Sequence, residues 1–280
     1  MYAVIDLGGT NTSISLFVSP DSLQPEQIAA FPTHPEYAVQ LDKVLGALAA
    51  CKPRLSGIGM AIGVQLTPDG LSVDETWTMP DYSNRPVVTD IASATGVPVI
   101  AANDNVCGVI AETLHGSLRP WRRTAYLTVS TGTGSGIFLR DGSQSFAWLA
   151  QVGHHIVNMQ GEDCVCGQRG CVQAVTGGQQ FLRRYGLPAS EIRDEAVWRE
   201  VTEILAVAIV NLARITRVEA ICVSGGIGYN NPWIRANLAG RVQDRGPATG
   251  VRVLFPEFGE QAPVIGAALL PGNRNVTILR

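Results

Sequence analysis

Three thiols crowd into one eight-residue stretch, Cys164-Val165-Cys166-Gly167-Gln168-Arg169-Gly170-Cys171. Soft thiolates at this spacing are zinc ligands, and Gly167 and Gly170 permit the tight turns that bring them together. A closed tetrahedral site needs a fourth donor. His154 stands ten residues upstream of Cys164, with His155 as its competitor. Four protein ligands leave no position for water, so the expected role is structural zinc rather than metal catalysis. A ligated imidazole still holds its second nitrogen in a fixed direction, where it can meet a ligand hydroxyl.

A second chemistry lies in two glycine turns and a carboxylate. Asp6-Leu7-Gly8-Gly9-Thr10-Asn11 and Thr131-Gly132-Thr133-Gly134-Ser135-Gly136 each join two strand-like runs. Without Cβ atoms the backbone N–H groups can approach an anion closely, and the flanking hydroxyls add donors. Glycine turns also simply make hairpins, so each alone says little. Neither matches G-x-G-x-x-G opening a helix, which argues against a dinucleotide fold. Asn103-Asp104 closes the strand Pro98-Val99-Ile100-Ala101 and precedes a helical pattern. That is a capping position, and it is also where α/β proteins place chemistry. Phosphoryl transfer to an alcohol needs a carboxylate there, to take the hydroxyl proton while the turns hold phosphates.

The elements that must position these groups follow an α/β pattern. Tyr2 to Ile5, Ser13 to Val18, Gly57 to Ile62, Val97 to Ala101, Thr124 to Val129, Gly136 to Leu139 and Ala220 to Val223 read as strands. Asn105 to His115 reads as a helix with Val106, Val109, Ile110, Thr113 and Leu114 on one side, stopped by Gly116. The longest helix, about Glu195 to Thr216, is apolar over much of its circumference and belongs inside a lobe. Gly116 to Arg123 breaks the pattern and marks the lobe boundary. A small lobe over 1–118, completed by about 262–280, and a large lobe over 119–261 carrying the zinc motif 154–171 are expected.

Composition narrows the function further. In 280 residues, 46% are hydrophobic and 16% charged, which suits a folded protein of two lobes. Twenty-one basic against 24 acidic side chains give a net charge of −3, so no basic field addresses nucleic acid or a membrane surface. Lys43 and Lys52 are the only lysines and neither follows glycine, which excludes a Walker-type phosphate loop. The longest apolar run, Ile204 to Val210, is too short to span a bilayer, and no secretory signal is visible. Cys51, Cys107 and Cys222 stand apart in apolar surroundings as buried thiols. A cytoplasmic protein acting on a small molecule is expected.

Taken together, Asp6-Leu7-Gly8-Gly9-Thr10, Asn103-Asp104-Asn105, Thr131-Gly132-Thr133-Gly134, Gly153-His154, the cysteine motif, Ser224-Gly225-Gly226 and Gly266-Ala267-Ala268 resemble the ROK family of sugar kinases and sugar-responsive repressors. The resemblance implies a two-lobed actin-like or hexokinase-like (ribonuclease H-like) α/β fold with an active-site cleft between the lobes. It implies ATP with Mg2+ and transfer of the γ-phosphoryl group to a sugar hydroxyl. By it, Asp104 is the catalytic base, and Asp6, Gly8, Gly9, Thr10 and Asn11 lie near metal and phosphates. Thr131, Gly132, Thr133, Gly134, Gly225 and Gly226 complete the nucleotide site. Asn103, Asp104, Gln151, His154 and Gln173 face the sugar. The resemblance favours His154 over His155, giving His154, Cys164, Cys166 and Cys171 as zinc ligands, and it implies a homodimer.

Departures from the family pattern gather on the sugar side. Gln151 and Gln173 stand where the family usually has glutamates, exchanging charge for donor capacity. Ser145 to Ala150 is bulkier than the family's approach to this motif, Gly59 to Gly63 lacks the usual proline, and Trp77-Thr78-Met79-Pro80 replaces a frequent Asn-Leu-Pro. The function expected is an ATP-dependent kinase for a hexose, N-acylhexosamine or related sugar or cyclitol. The alternatives are a sugar-binding sensor or an inactive homologue. A DNA-binding regulator is disfavoured, because only five residues precede Asp6 and no basic recognition helix is evident.

Overall fold

The computed structural model describes every residue except Asp21, Trp77 and Arg274. The chain opens with β1 (Tyr2–Leu7), β2 (Asn11–Phe17), β3 (Glu26–Pro32) and α1 (Tyr37–Leu48). Next come β4 (Gly57–Ile62), α2 (Val87–Thr95), β5 (Val99–Asn103) and α3 (Asp104–Leu114). The middle of the chain holds β6 (Arg123–Val129), β7 (Thr133–Asp141), β8 (Gln144–Ala150), α4 (Gln173–Thr176) and α5 (Gly178–Tyr185). It ends with α6 (Glu195–Thr216), β9 (Ala220–Ser224), α7 (Gly225–Gly228), α8 (Pro232–Arg245), β10 (Arg252–Leu254), α9 (Ala262–Leu269) and β11 (Val276–Leu279).

Two units divide the chain. The first comprises Met1–Ala111, Gly142–Trp148 and Gln261–Arg280, and the second Glu112–Asp141 and Leu149–Glu260. The segment Gly142–Trp148 thus sits in the first unit, apart from the large-lobe range expected for it. The reason is strand pairing: β8 runs parallel to β11 from the chain's end, with Ser145 opposite Val276 and Trp148 opposite Leu279.

In the first unit the strands are ordered β3-β2-β1-β4-β5. β1, β4 and β5 are parallel, and β1-β2-β3 is an antiparallel meander. All six residues of β4 are buried, which is why it reads as a continuous apolar run with no alternation. Helix α9 packs on β4 and β1. The backbones approach so closely that a Cβ on Gly59 would lie 1.9 Å from the Ala267 carbonyl oxygen, and one on Gly266 would lie 1.8 Å from that of Cys107. These contacts lock α9, β4 and α3 into a fixed spacing. Helix α3 starts one residue before the expected Asn105, and every residue from Asn105 to Thr113 is buried, so the one-sided stripe understates its burial.

In the second unit β10, β9 and β6 are parallel, and β7 pairs antiparallel with β6. The 22-residue α6 spans the range expected, begins on an Asp194 cap whose carboxylate accepts from the Ala196 amide, and packs against α8. The strand expected at Val97 to Ala101 runs from Val99 to Asn103 instead, because Pro98 has no N–H for the ladder. Its extension carries Asn103 to the strand's end, directly before Asp104.

Gly266→Ala is expected to lower stability by about 1–3 kcal/mol, the usual cost of overpacking. Gly46→Ala, at an exposed helical position with open space around the new methyl, should raise it by about 0.5–1 kcal/mol. Urea unfolding of both variants beside the wild type checks the pair.

Candidate functional site

The first unit gathers two carboxylates at the carboxyl ends of parallel strands. Asp6 of β1 pairs across to Ala61 of β4, and Ala61 to Ala102 of β5. Asp104 follows two residues later, at the first turn of α3. Small side chains on the intervening strand leave the space above the sheet to the two acids. Burial pushes Asp6 up to about 7, with the Asp104 charge adding to it. Burial likewise raises Asp104 to about 6, against the pull of the Asn105 backbone and side-chain N–H groups.

Asn103 and Asn105 hold Asp104 in place. Asp104 Oδ1 accepts from the Asn105 amide at 2.8 Å and from Asn105 Nδ2 at 2.7 Å. Among the described residues its Oδ2 accepts no hydrogen bond from another residue. Asn103 Nδ2 donates to the carbonyls of Ile62 and Val64, each at 3.2 Å, and its Oδ1 accepts from the Asn105 amide at 2.9 Å. Asn103, expected to face a sugar, therefore has donors and acceptor engaged in bracing β5 against the loop after β4.

The first glycine turn lies at the same end of the sheet. The Gly8 amide donates to the Asn11 carbonyl at 3.0 Å, and Thr33 Oγ1 donates to the Gly8 carbonyl at 2.7 Å. Beneath them Thr33, Thr12 and Gln40 form a buried chain, with Gln40 Nε2 donating to Thr12 Oγ1 at 2.7 Å. Gly9, Thr10 and Asn11 are exposed, and the Gly9 and Thr10 amides donate to nothing among the described residues. Sequence reasoning missed Thr33 and Gln40, whose partners are 21 to 28 residues away. A signal existed: Gln40 interrupts the buried stripe Tyr37, Val44, Leu48 of α1.

In the second unit, the Ser130 amide closes the other turn by donating to the Gly132 carbonyl at 2.8 Å. The Thr133 amide donates to Gln173 Oε1 at 2.8 Å, and Thr133 and Thr176 share a hydroxyl hydrogen bond of 2.7 Å. Gly134 then pairs with Thr128 in the ladder. The Thr131 and Gly132 amides stay open among the described residues. Gln173 thus spends its carbonyl on the turn. Ser224 leads into Gly225 and Gly226; Gly225 has φ 86° and sits against the Val129 carbonyl, where a Cβ would lie 2.4 Å away. Gln151 is exposed at the head of a short 3-10 turn, Val152–His154. Trp77 lies outside the described residues.

The same unit draws His154, Cys164, Cys166 and Cys171 together, with their ligand atoms all within 4.8 Å of one another. Cys164 Sγ lies 3.6 Å from His154 Nδ1, and Cys166 Sγ lies 3.7 Å from Cys171 Sγ. Tetrahedral zinc with bonds of ~2.3 Å to sulfur and ~2.05 Å to nitrogen requires edges of about 3.5 Å and about 3.8 Å. The donor set fits zinc, and it presents Nδ1. Gly170 has φ 79°, and its Cα is pressed on the Asn158 carbonyl, 1.7 Å from where a Cβ would be, which bends the loop back. Burial lowers His154 and so keeps it the neutral imidazole that a metal takes. Without a cation, burial and the neighbouring thiols push Cys171 up to about 12. Cys51, Cys107 and Cys222 are free and buried, as expected.

A family model for ROK proteins matches residues 2–273. The chain belongs to the ROK family. It is 26% identical to the N-acetylmannosamine kinase of Vibrio cholerae, over 94% of this chain and 96% of that protein. It is also 26% identical to the N-acetyl-D-glucosamine kinase of Salmonella gallinarum, over 96% and 99%. Among solved structures, a ROK glucokinase from Streptomyces griseus in complex with glucose and AMPPNP aligns over 96% of this chain and 98% of its own, with TM-score 0.76 and 19% identity. The fold is the two-domain α/β fold of the ROK hexokinases.

Purified protein should carry about one zinc per chain. Cys166→Ser is expected to lose it and to lower thermal stability, since metal binding here is folding free energy. Elemental analysis with a melting curve measures both.

Proposed function

We propose that this chain is an ATP-dependent sugar kinase with Asp104 as the general base. The observation that carries the reading is the Asp104 carboxylate: fixed through Oδ1, open at Oδ2 and poised at about 6, near the pH at which a base must work. In the reaction Oδ2 takes the proton of a sugar hydroxyl as its oxygen bonds to the γ-phosphorus. The bond from phosphorus to the bridging oxygen breaks and ADP leaves. The open amides of Gly9, Thr10, Thr131 and Gly132 suit phosphate oxygens. Asp6, half-buried and with no protein donor among the described residues, suits a cation, and it is the residue that would hold Mg2+. Bound there, the ion would neutralise phosphate charge.

For the acceptor we propose an uncharged sugar, an N-acylhexosamine before a free amino sugar. Gln151 and Gln173 present amides where a carboxylate would attract an ammonium group, and an amide donor matches an acyl oxygen. The N-acetylhexosamine kinases among the relatives support this choice. Gln173 serves a second purpose as well. Its side-chain carbonyl accepts from the Thr133 amide and so braces the turn. Structural zinc held by His154, Cys164, Cys166 and Cys171, a homodimer and a cytoplasmic location complete the proposal. No helix among the described residues is long and apolar enough to cross a membrane.

Asp104→Asn is expected to lower kcat by at least ~100-fold with little change in ATP affinity. For the wild type, kcat/KM should rise with pH through about 6 as Asp104 ionises. That limb should be absent from the residual activity of the variant. Stability should move the opposite way. Both acids are raised above their ordinary value of 3.8, so the folded state holds more protons than the unfolded chain between about pH 4 and 7. Stability is therefore lost as pH rises across that window, and Asp104→Asn should melt higher than wild type at pH 8. ATP-coupled turnover on N-acetylmannosamine, N-acetylglucosamine, glucose and glucosamine tests the reading. No turnover on any of them would overturn it.

Gln173→Ala, which removes the acceptor of the Thr133 amide, should raise the KM for ATP about tenfold by loosening the turn. Steady-state kinetics with ATP varied at saturating sugar give the number.

A further inference from the structure

A cavity of about 430 Å³ opens in the second unit, lined by Trp121, Arg123, Arg214, Arg217, Glu219 and Thr249 among others. It lies at the amino-terminal ends of β6 and β9, whereas the phosphate turn and Gly225 follow their carboxyl-terminal ends. β6 is seven residues long, which separates the cavity from the turn by roughly 23 Å. This is a different place from the kinase site.

Its charge is unbalanced. Glu219 is the only acid among the lining residues, and its carboxylate is already engaged. Its Oε2 accepts from the Arg122 and Arg123 amides at 3.0 and 2.8 Å, and its Oε1 lies 3.6 Å from an Arg123 guanidinium nitrogen. Arg214 and Arg217 make no ion pair among the described residues. The carboxyl end of α6 contributes about half a negative charge. Three guanidinium groups against one carboxylate and that half charge leave an excess of about +1.5 in a concave space.

The backbone gives an independent sign. Arg217 ends α6 in the left-handed conformation, φ 61° and ψ 28°. Helices α2 and α5 end in the same conformation on Gly96 and Gly186. Among the described residues only Arg217 and Asn84 hold a positive φ without being glycine. An arginine is disfavoured there by the clash of its Cβ, and backbone bonding holds it, the Arg217 amide donating to the Ala213 carbonyl at 3.0 Å. Arg123 Nε fixes the strained residue by donating to its carbonyl at 2.8 Å. Trp121 adds an apolar wall, and Thr249, whose hydroxyl donates to the Gly246 carbonyl at 2.7 Å, lines the same space, which is of ligand size and mixed character.

We propose that this cavity binds a small polyanion, an organic phosphate or polycarboxylate, through Arg214 and Arg217 at a site separate from the kinase centre. The probes are pyrophosphate and tricarballylate, titrated by calorimetry into the full chain with and without saturating AMPPNP, with glucose as the neutral control. The expected result is one site per chain for at least one polyanion, unchanged by AMPPNP and weakened by salt. Affinity should drop at least tenfold in Arg214→Gln/Arg217→Asn, where asparagine tolerates the left-handed backbone. Arg214→Gln alone changes only an exposed helical side chain and should show a smaller loss in a chain that melts as wild type. A tryptophan fluorescence change on binding should vanish in Trp121→Phe. Binding to neither polyanion overturns the proposal, as does full competition by AMPPNP or unchanged affinity in both arginine variants.

Discussion

Everything in the first unit answers to one electrostatic constraint, the burial of two carboxylates at the carboxyl ends of β1 and β5. A carboxylate without a donor costs free energy in a half-buried site, and two near each other cost more. The structure meets that cost at one of them. Asn105 gives Asp104 two N–H groups, Asn103 holds Asn105, and the close packing of α9, β4 and α3 keeps the helix start in place. Asp6 receives no such help from the described residues. The asymmetry leaves Asp104 fixed through Oδ1 and Asp6 without a donor among the described residues.

The second unit solves a different problem by a related device. Its glycine turn must keep backbone amides pointing outward, and a turn with open donors has little internal bonding to hold it. Gln173, Thr176 and the start of α5 supply that support from outside, through the Thr133 amide and hydroxyl and the Ser130 carbonyl. Gln173 begins α4 two residues after Cys171. The cysteine loop and the glycine turn are therefore joined through a few residues of chain, which gives the one a direct mechanical relation to the other.

Arg217 and Asp104 carry a local cost. Each stands where a more comfortable residue was available, glycine at a left-handed helix end and asparagine at a buried cap. Local preference and tertiary demand disagree at both.

The sequence by itself determined the elements whose signals are local. The all-buried β4, the α6 period, both glycine turns and the three-cysteine spacing were legible because each is encoded within a few consecutive residues. So were Asp104 at a strand end and the ROK resemblance, which rests on motifs of that same length. The strand β3, mostly exposed and without alternation, left no such trace, and neither did β11, whose partner β8 lies about half the chain away. Only the tertiary structure decided which atom of His154 faces the thiols and which backbone Asn103 braces. It alone showed that Gln173 holds the second glycine turn, and that Trp121, Arg123, Arg214 and Arg217 share one cavity. These are contacts between residues separated by tens of positions, and no periodicity or spacing along the chain records which side chains the packing of strands and helices will bring together.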